Sequence, residues 1–238
     1  MIISSKTWSD YIKRLEKLNV TAGELMRKYI ETHGTGDLAA LVEYAFGLVT
    51  RYGEASGALA AEMYDAIAEA SGVVVPAAEP AAVSGLASVK HELDKANGSP
   101  PLLEGAVSRM VKQTAADTTL KNATRDGAEW AWVPHGDTCA FCMTLASRGW
   151  QKASKKSLNG GHATHIHAHC NCEYAVRFGG KGGVAGYDPD EYERRYKSAG
   201  GSVESLRRQL DGQNRDKINA QKRAAYAERK KRAQTHSE

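Results

Sequence analysis

The sequence predicts an α+β protein with an N-terminal helical bundle, a small α+β module and an extended basic helical C-terminus. Two observations carry that expectation. Apolar residues recur at helical spacing between cap residues over the first seventy positions. Near residue 130 the pattern changes to short alternating runs rich in glycine and histidine, and all four cysteines of the chain fall there.

The bundle is read element by element. Thr7 followed by Asp10 reads as a capping box, after which Trp8, Tyr11, Ile12, Leu15 and Leu18 share one helical face. Thr21 with Glu24 repeats the signal, Leu25, Met26, Tyr29 and Ile30 continue the face, and Gly34 closes it. Asp37 caps a third helix through Tyr52. A fourth, over about 55–70, stops near Gly72. Short connections between such helices favour antiparallel packing. Residues 73–85, with two prolines and little charge, read as a linker or surface-wrapping segment. Helix returns at Leu86–Ala96, and a longer one runs from Pro100-Pro101 to about Arg125, ended by Gly127.

Trp130–Pro134 then alternates as a strand does, with Trp132 toward a core and Trp130 covering it or facing solvent. Cys142–Arg148 is helical, and short strands are expected at Trp150–Ala153 and Glu173–Phe178. The glycines of Gly179–Gly183 read as a flexible hinge. Asp188-Pro189 starts a new helix, Val203–Leu210 another, and Ile218–Ala233 a final exposed one. The expected divisions are a bundle over 1–72, a linker with long helices over 73–127, the module over 128–183 and a charged tail over 184–238. At 238 residues and 42% hydrophobic content, two modest cores joined by extended pieces are expected.

No run approaches the roughly 18–20 apolar residues that span a bilayer, and the N-terminus lacks the pattern of a signal peptide. A membrane partner is therefore not expected. The chain reads as soluble and cytosolic at synthesis, where thiols stay reduced, so the cysteines are ligands or nucleophiles rather than disulfides. The net charge of +4 hides an asymmetry. Residues 1–100 hold 9 Lys/Arg against 13 Asp/Glu, a net of −4, whereas residues 207–232 hold 10 against 3, a net of +7. Such a tail suits nucleic acid or an acidic protein surface, and is otherwise a solvated helix.

Cys139 and Cys142 have the two-residue spacing that lets both thiolates face one ion from a tight turn. About 25 residues later His167, Cys170 and Cys172 offer three more donors. Two clusters at that separation match the arithmetic of structural zinc sites. Four ligands close a tetrahedral site and five are on offer. The four cysteines are the first choice, with His167 in place of Cys170 or Cys172 a close second. His162, His165 and His169 read as solvent-facing or hydrogen-bonding. Zinc would supply folding energy that so glycine-rich a segment cannot gather from burial. A redox Cys-x-x-Cys enzyme would need a βαβ context, which is missing.

At these residues a resemblance enters. Trp132 to Gly149, with Cys139, Cys142 and Ser147-Arg148-Gly149, resembles the segment that opens the Mu F-like domain of actinobacterial phage minor capsid proteins. The run from His167 to Cys172 is similar to its closing H-x-x-C-x-C element. About 50 residues carry the likeness directly. It implies a minor head-morphogenesis protein of a tailed phage or prophage that acts in head assembly close to the portal vertex. The implied partners are portal or major capsid protein, with packaged DNA reached by the basic tail. The implied location is the virion, after assembly in the host cytoplasm. No catalytic residue is expected on this reading. The alternative is a zinc-stapled metal-dependent endonuclease, with His165, His167 or His169 as general base and Glu173 or Asp137 holding Mg²⁺. A free-standing DNA-binding zinc protein is less favoured, because no recognition helix follows the metal segment.

Overall fold

The computed structural model describes residues 2–136, 138–154 and 172–215, together with 219 and 223. In chain order the elements are α1 (Ser5–His33), α2 (Leu38–Ser71), α3 (Leu86–Ala96), α4 (Pro100–Asp126), β1 (Glu129–Val133), α5 (Ala140–Ala146), β2 (Gln151–Lys152), β3 (Glu173–Arg177) and α6 (Pro189–Ser198). A further helix, α7, covers 203–215. The fold is α+β: seven helices among the described residues and one antiparallel sheet of order β2-β1-β3.

Two expected pairs of helices are single long ones. α1 is capped by Ser4, whose side chain accepts from Thr7 N at 3.1 Å, so Thr7 lies inside the helix and Thr21 interrupts nothing. α2 is capped by Asp37 and runs unbroken for 34 residues to Gly72. The break expected near residue 53 is absent because Gly53 and Gly57 are packing residues. A Cβ on Gly53 would stand 2.9 Å from Val83 Cγ1, and one on Gly57 3.2 Å from Thr114 Cγ2. These glycines let the neighbouring chain approach the α2 backbone.

Two buried clusters form, stacked along the same three helices rather than joined by extended pieces. One takes the first half of α1 (Trp8, Ile12, Leu15) with the second halves of α2 (Leu59, Ile67) and α4 (Leu120, Ala123) and with the sheet. The other takes Met26 and Ile30 of α1, Leu41 and Val49 of α2, Leu103 and Val111 of α4, and Val89 and Leu93 of α3. Hence α2 and α4 run in the same direction and α1 opposes both. Parallel neighbours need a long return connection, and residues 73–85 supply it. That segment wraps the surface as expected, held by side chains. Ala78 N donates to Asp65 Oδ1 (2.9 Å), Glu79 N to Asn122 Oδ1 (3.0 Å) and Ala81 N to Thr118 Oγ1 (2.9 Å). Asn122 and Thr118 are buried polar residues of α4, and their partners on this strap satisfy them.

The sheet departs from the expected alternation. Trp130, Ala131, Trp132 and Val133 are all buried, because β1 is the central strand and is covered on both faces. Trp130 and Trp132 both meet the Tyr174 ring edge-on, at 4.9 and 4.6 Å between centroids. The glycine-rich stretch is a folded turn, not a hinge. Phe178 and Lys181 exchange backbone hydrogen bonds of 2.8 and 2.9 Å across Gly179-Gly180, both at positive φ. Gly182 and Gly183 then pass close to Ser71 and Trp150. α6 and α7 fold back on α5: Tyr192, Tyr196, Val203 and Leu210 surround Ala140, Met143 and Leu206. Most of the basic stretch beyond 215 lies outside the described residues.

Candidate metal centre

Strand register brings Cys172 to the same end of the sheet as Cys139 and Cys142. β1 and β3 pair antiparallel from Glu129↔Arg177 to Val133↔Glu173. The C-terminal end of β1, which leads into Cys139, therefore lies beside the N-terminal end of β3, which Cys172 immediately precedes. Antiparallel pairing makes this juxtaposition inevitable once the register is set.

Cys139 is the N-cap residue of α5, in extended conformation (φ −73°, ψ 160°), and Cys142 lies in its first turn. Their sulfurs stand 3.5 Å apart, and neither they nor Cys172 is disulfide-bonded. Cys139 is exposed, whereas Cys142 and Cys172 are each 1% exposed and share a buried cluster with Trp132, Leu145 and Tyr174. α6 closes the outer side. Tyr187 donates to Ala146 O at 2.8 Å, and Gly149 abuts Pro189, the first residue of α6. Burial pushes the Tyr192 phenol up, with Arg195 pulling it down and Glu191 and then Cys172 adding further pushes upward.

Cys139, Cys142 and Cys172 all lie toward one end of the sheet. His167 and Cys170 lie outside the described residues, as do His162, His165, His169 and Asp137. Among the described residues no group of three or more metal-capable side chains comes together. The spacing of the Cys139 and Cys142 sulfurs is one that zinc accepts. Two thiolates on one tetrahedral zinc, each bonded at about 2.3 Å, stand about 3.8 Å apart, close to the 3.5 Å observed between Cys139 and Cys142.

Sequence reasoning missed a buried ion pair beside this centre. Lys112 Nζ lies 3.3 Å from Glu173 Oε1, and both side chains are almost wholly inaccessible, at 2% and 5%. Glu173 follows Cys172 directly, so strand alternation sends the two side chains to opposite faces. Glu173 faces Lys112 of α4 and the helix α1, where burial, then the Glu173 charge, push the Tyr11 phenol well up. Glu173, one of the two carboxylates that an endonuclease would aim at Mg²⁺, is directed into the helical core instead. The available signal was a lysine within the apolar run Met110-Val111-Lys112, on a helix that is buried nearly all round.

No described helix is long and apolar enough to cross a membrane. Compared with known proteins, no curated sequence and no solved structure matches the chain. Residues 2–199 match a family of phage proteins described as VG15 protein.

Proposed function

The chain belongs to the VG15 protein family, a phage family, and from that premise we propose that it is a non-enzymatic minor head protein of a tailed phage, acting in head assembly near the portal vertex. The observation that carries this reading is the reach of the family match. It spans the helical bundle, the sheet and the whole of α6, and the Mu F-like resemblance at Trp132–Gly149 and His167–Cys172 lies within it.

In this reading the long helices meet portal or major capsid subunits. Cys139, Cys142 and Cys172, with Cys170 or His167, hold one structural zinc. Bound there, the metal would supply a rigid cross-link between the α5 turn and the start of β3. The side chains around it act on packing: Trp132 and Tyr174 wall off one side and Tyr187 ties α6 to the end of α5. The basic tail lies against DNA phosphates, an attraction that carries no sequence information and weakens steeply with salt.

Co-expression with the portal and major capsid proteins of the same genome, followed by size-exclusion chromatography, tests the assembly role. Co-elution with either supports it. Separate elution from both, together with absence from purified virions by mass spectrometry, removes it. For DNA, truncation should begin at residue 216, because Leu206 and Leu210 belong to the packed part of α7. Loss of residues 216–238 should lower DNA retention at low salt, and an unchanged binding curve would exclude the tail.

A further inference from the structure

We infer that Cys139 and Cys142 are an oxidative modification site: hydrogen peroxide closes a reversible disulfide between them, and closure releases the bound metal. The metal half of this inference rests on the zinc reading above; the disulfide half rests on geometry alone.

The two sulfurs are 3.5 Å apart, already in contact. Residues three apart in a helical turn have Cα atoms about 5 Å apart, inside the roughly 4.4–6.8 Å that a disulfide accepts. Closure then requires side-chain rotation rather than backbone movement. Exposure divides the roles. Cys139 is exposed at the start of α5 and is the sulfur that peroxide can reach, whereas Cys142 is 1% exposed and adjacent to it. An accessible thiol beside a sheltered resolving thiol is the arrangement of a redox-sensing pair.

The steps balance. The Cys139 thiol attacks one peroxide oxygen, the O–O bond breaks, and a sulfenic acid and one water form. The Cys142 thiol then attacks the Cys139 sulfur, the S–O bond breaks, and a second water leaves. In the metal-free pair two thiols lose two hydrogens and one peroxide becomes two waters; from the metal-bound pair the two thiolates give up two electrons, two protons come from solvent, and the peroxide again becomes two waters. Neither sulfur of the disulfide remains a thiolate, so the metal loses two donors together. Cys142 is assigned as the resolving thiol because its sulfur is the one that stands 3.5 Å from that of Cys139, whereas Cys172 is held on a different element. It is buried at the end of a strand whose first residue, Glu173, is fixed by pairing to Val133 and by the ion pair with Lys112.

The full-length protein is treated with hydrogen peroxide, free thiols are alkylated, and tryptic peptides are weighed while released metal is read with a chromogenic chelator. Cleavage after Arg125 and Arg148 gives a peptide holding Cys139 and Cys142 as its only cysteines. The expected result is that this peptide escapes alkylation, weighs two hydrogens less than its dithiol form, and reverts with dithiothreitol, with metal lost in step. A peptide that stays alkylatable while Met143 gains oxygen overturns the inference, as does a cross-link from Cys139 to Cys170 or Cys172. A lighter peptide in a protein that is metal-free before oxidation sustains the disulfide and removes the zinc reading. Disulfide formation with the metal retained sustains the zinc reading and overturns the release.

Discussion

The long helices and the sheet region are held by different physics. α1, α2 and α4 bury apolar residues along some thirty positions each, and every one of them serves both stacked clusters. Helices of that length collect their stability from many small contacts, so no single residue decides whether they form. The sheet region has strands of five, two and five residues and a helix of seven. Its order depends on a few specific groups: the Trp130–Tyr174–Trp132 ring cluster, the Lys112–Glu173 pair and the cysteines at the sheet end. One region is redundant and the other is concentrated, and the concentrated one holds the candidate centre.

Removing the proposed zinc is the strongest way to separate the two. Structural zinc sites contribute on the order of 10 kcal/mol to the folding of the segment they close. A strong chelator, or Cys139→Ser, should therefore abolish the near-ultraviolet dichroism of Trp130 and Trp132 and leave most of the far-ultraviolet helical signal of α1, α2 and α4. Elemental analysis should show about one zinc per chain beforehand. Equal loss of both signals would mean that the regions are not energetically distinct.

The buried ion pair is the next largest lever. Lys112→Met leaves Glu173 charged and buried, and breaking such a pair costs about 3–5 kcal/mol. Adding Glu173→Leu removes the buried carboxylate together with its lysine and should recover most of that loss in urea melts. A double variant no better than the single one would show that Lys112 acts through something other than this pair.

Within the redundant region the glycines of α2 give a sharper contrast. Gly53→Ala would place a methyl 2.9 Å from Val83, and overpacking of that kind costs about 1–3 kcal/mol, more than the helix propensity gained. Gly47→Ala meets nothing within 4 Å and should stabilise by about 0.5–1 kcal/mol. Opposite signs for the same change, six residues apart, would confirm that the strap rather than helix propensity selects Gly53.

The smallest effect concerns pH at the C-terminal end of α4. Asp126 accepts from Tyr64 OH at 2.8 Å and pairs with Arg125. Burial opposes ionisation there, but the hydrogen bonds from Arg125 and Tyr64 outweigh it and hold the carboxyl below its usual value. A group depressed by folding adds stability above its unfolded value and loses it as pH falls through the folded one. Asp126→Asn should therefore cost about 1 kcal/mol near neutrality, and the gap from wild type should close in acid.

Local chemistry alone determined the element ends. Asp37, Gly72, Pro100, Gly127 and Asp188 stand where their backbone preferences and side-chain acceptors place them, because a cap acts over three or four residues and needs no distant partner. The cysteine spacing likewise foretold a pair of adjacent sulfurs at Cys139 and Cys142. What failed were signals with two meanings. Thr7 and Thr21 look like caps, and the stretch around Gly53 looks like a break, until the neighbouring segments are known.

Only the tertiary structure decided that α2 and α4 run parallel beneath a wrapping strap, that β1 is buried on both faces, and that Glu173 turns inward to Lys112 while Cys172 stays at the sheet end. These depend on contacts between residues tens of positions apart. No local window contains both partners, so direction, register and burial are settled only when the distant surfaces meet.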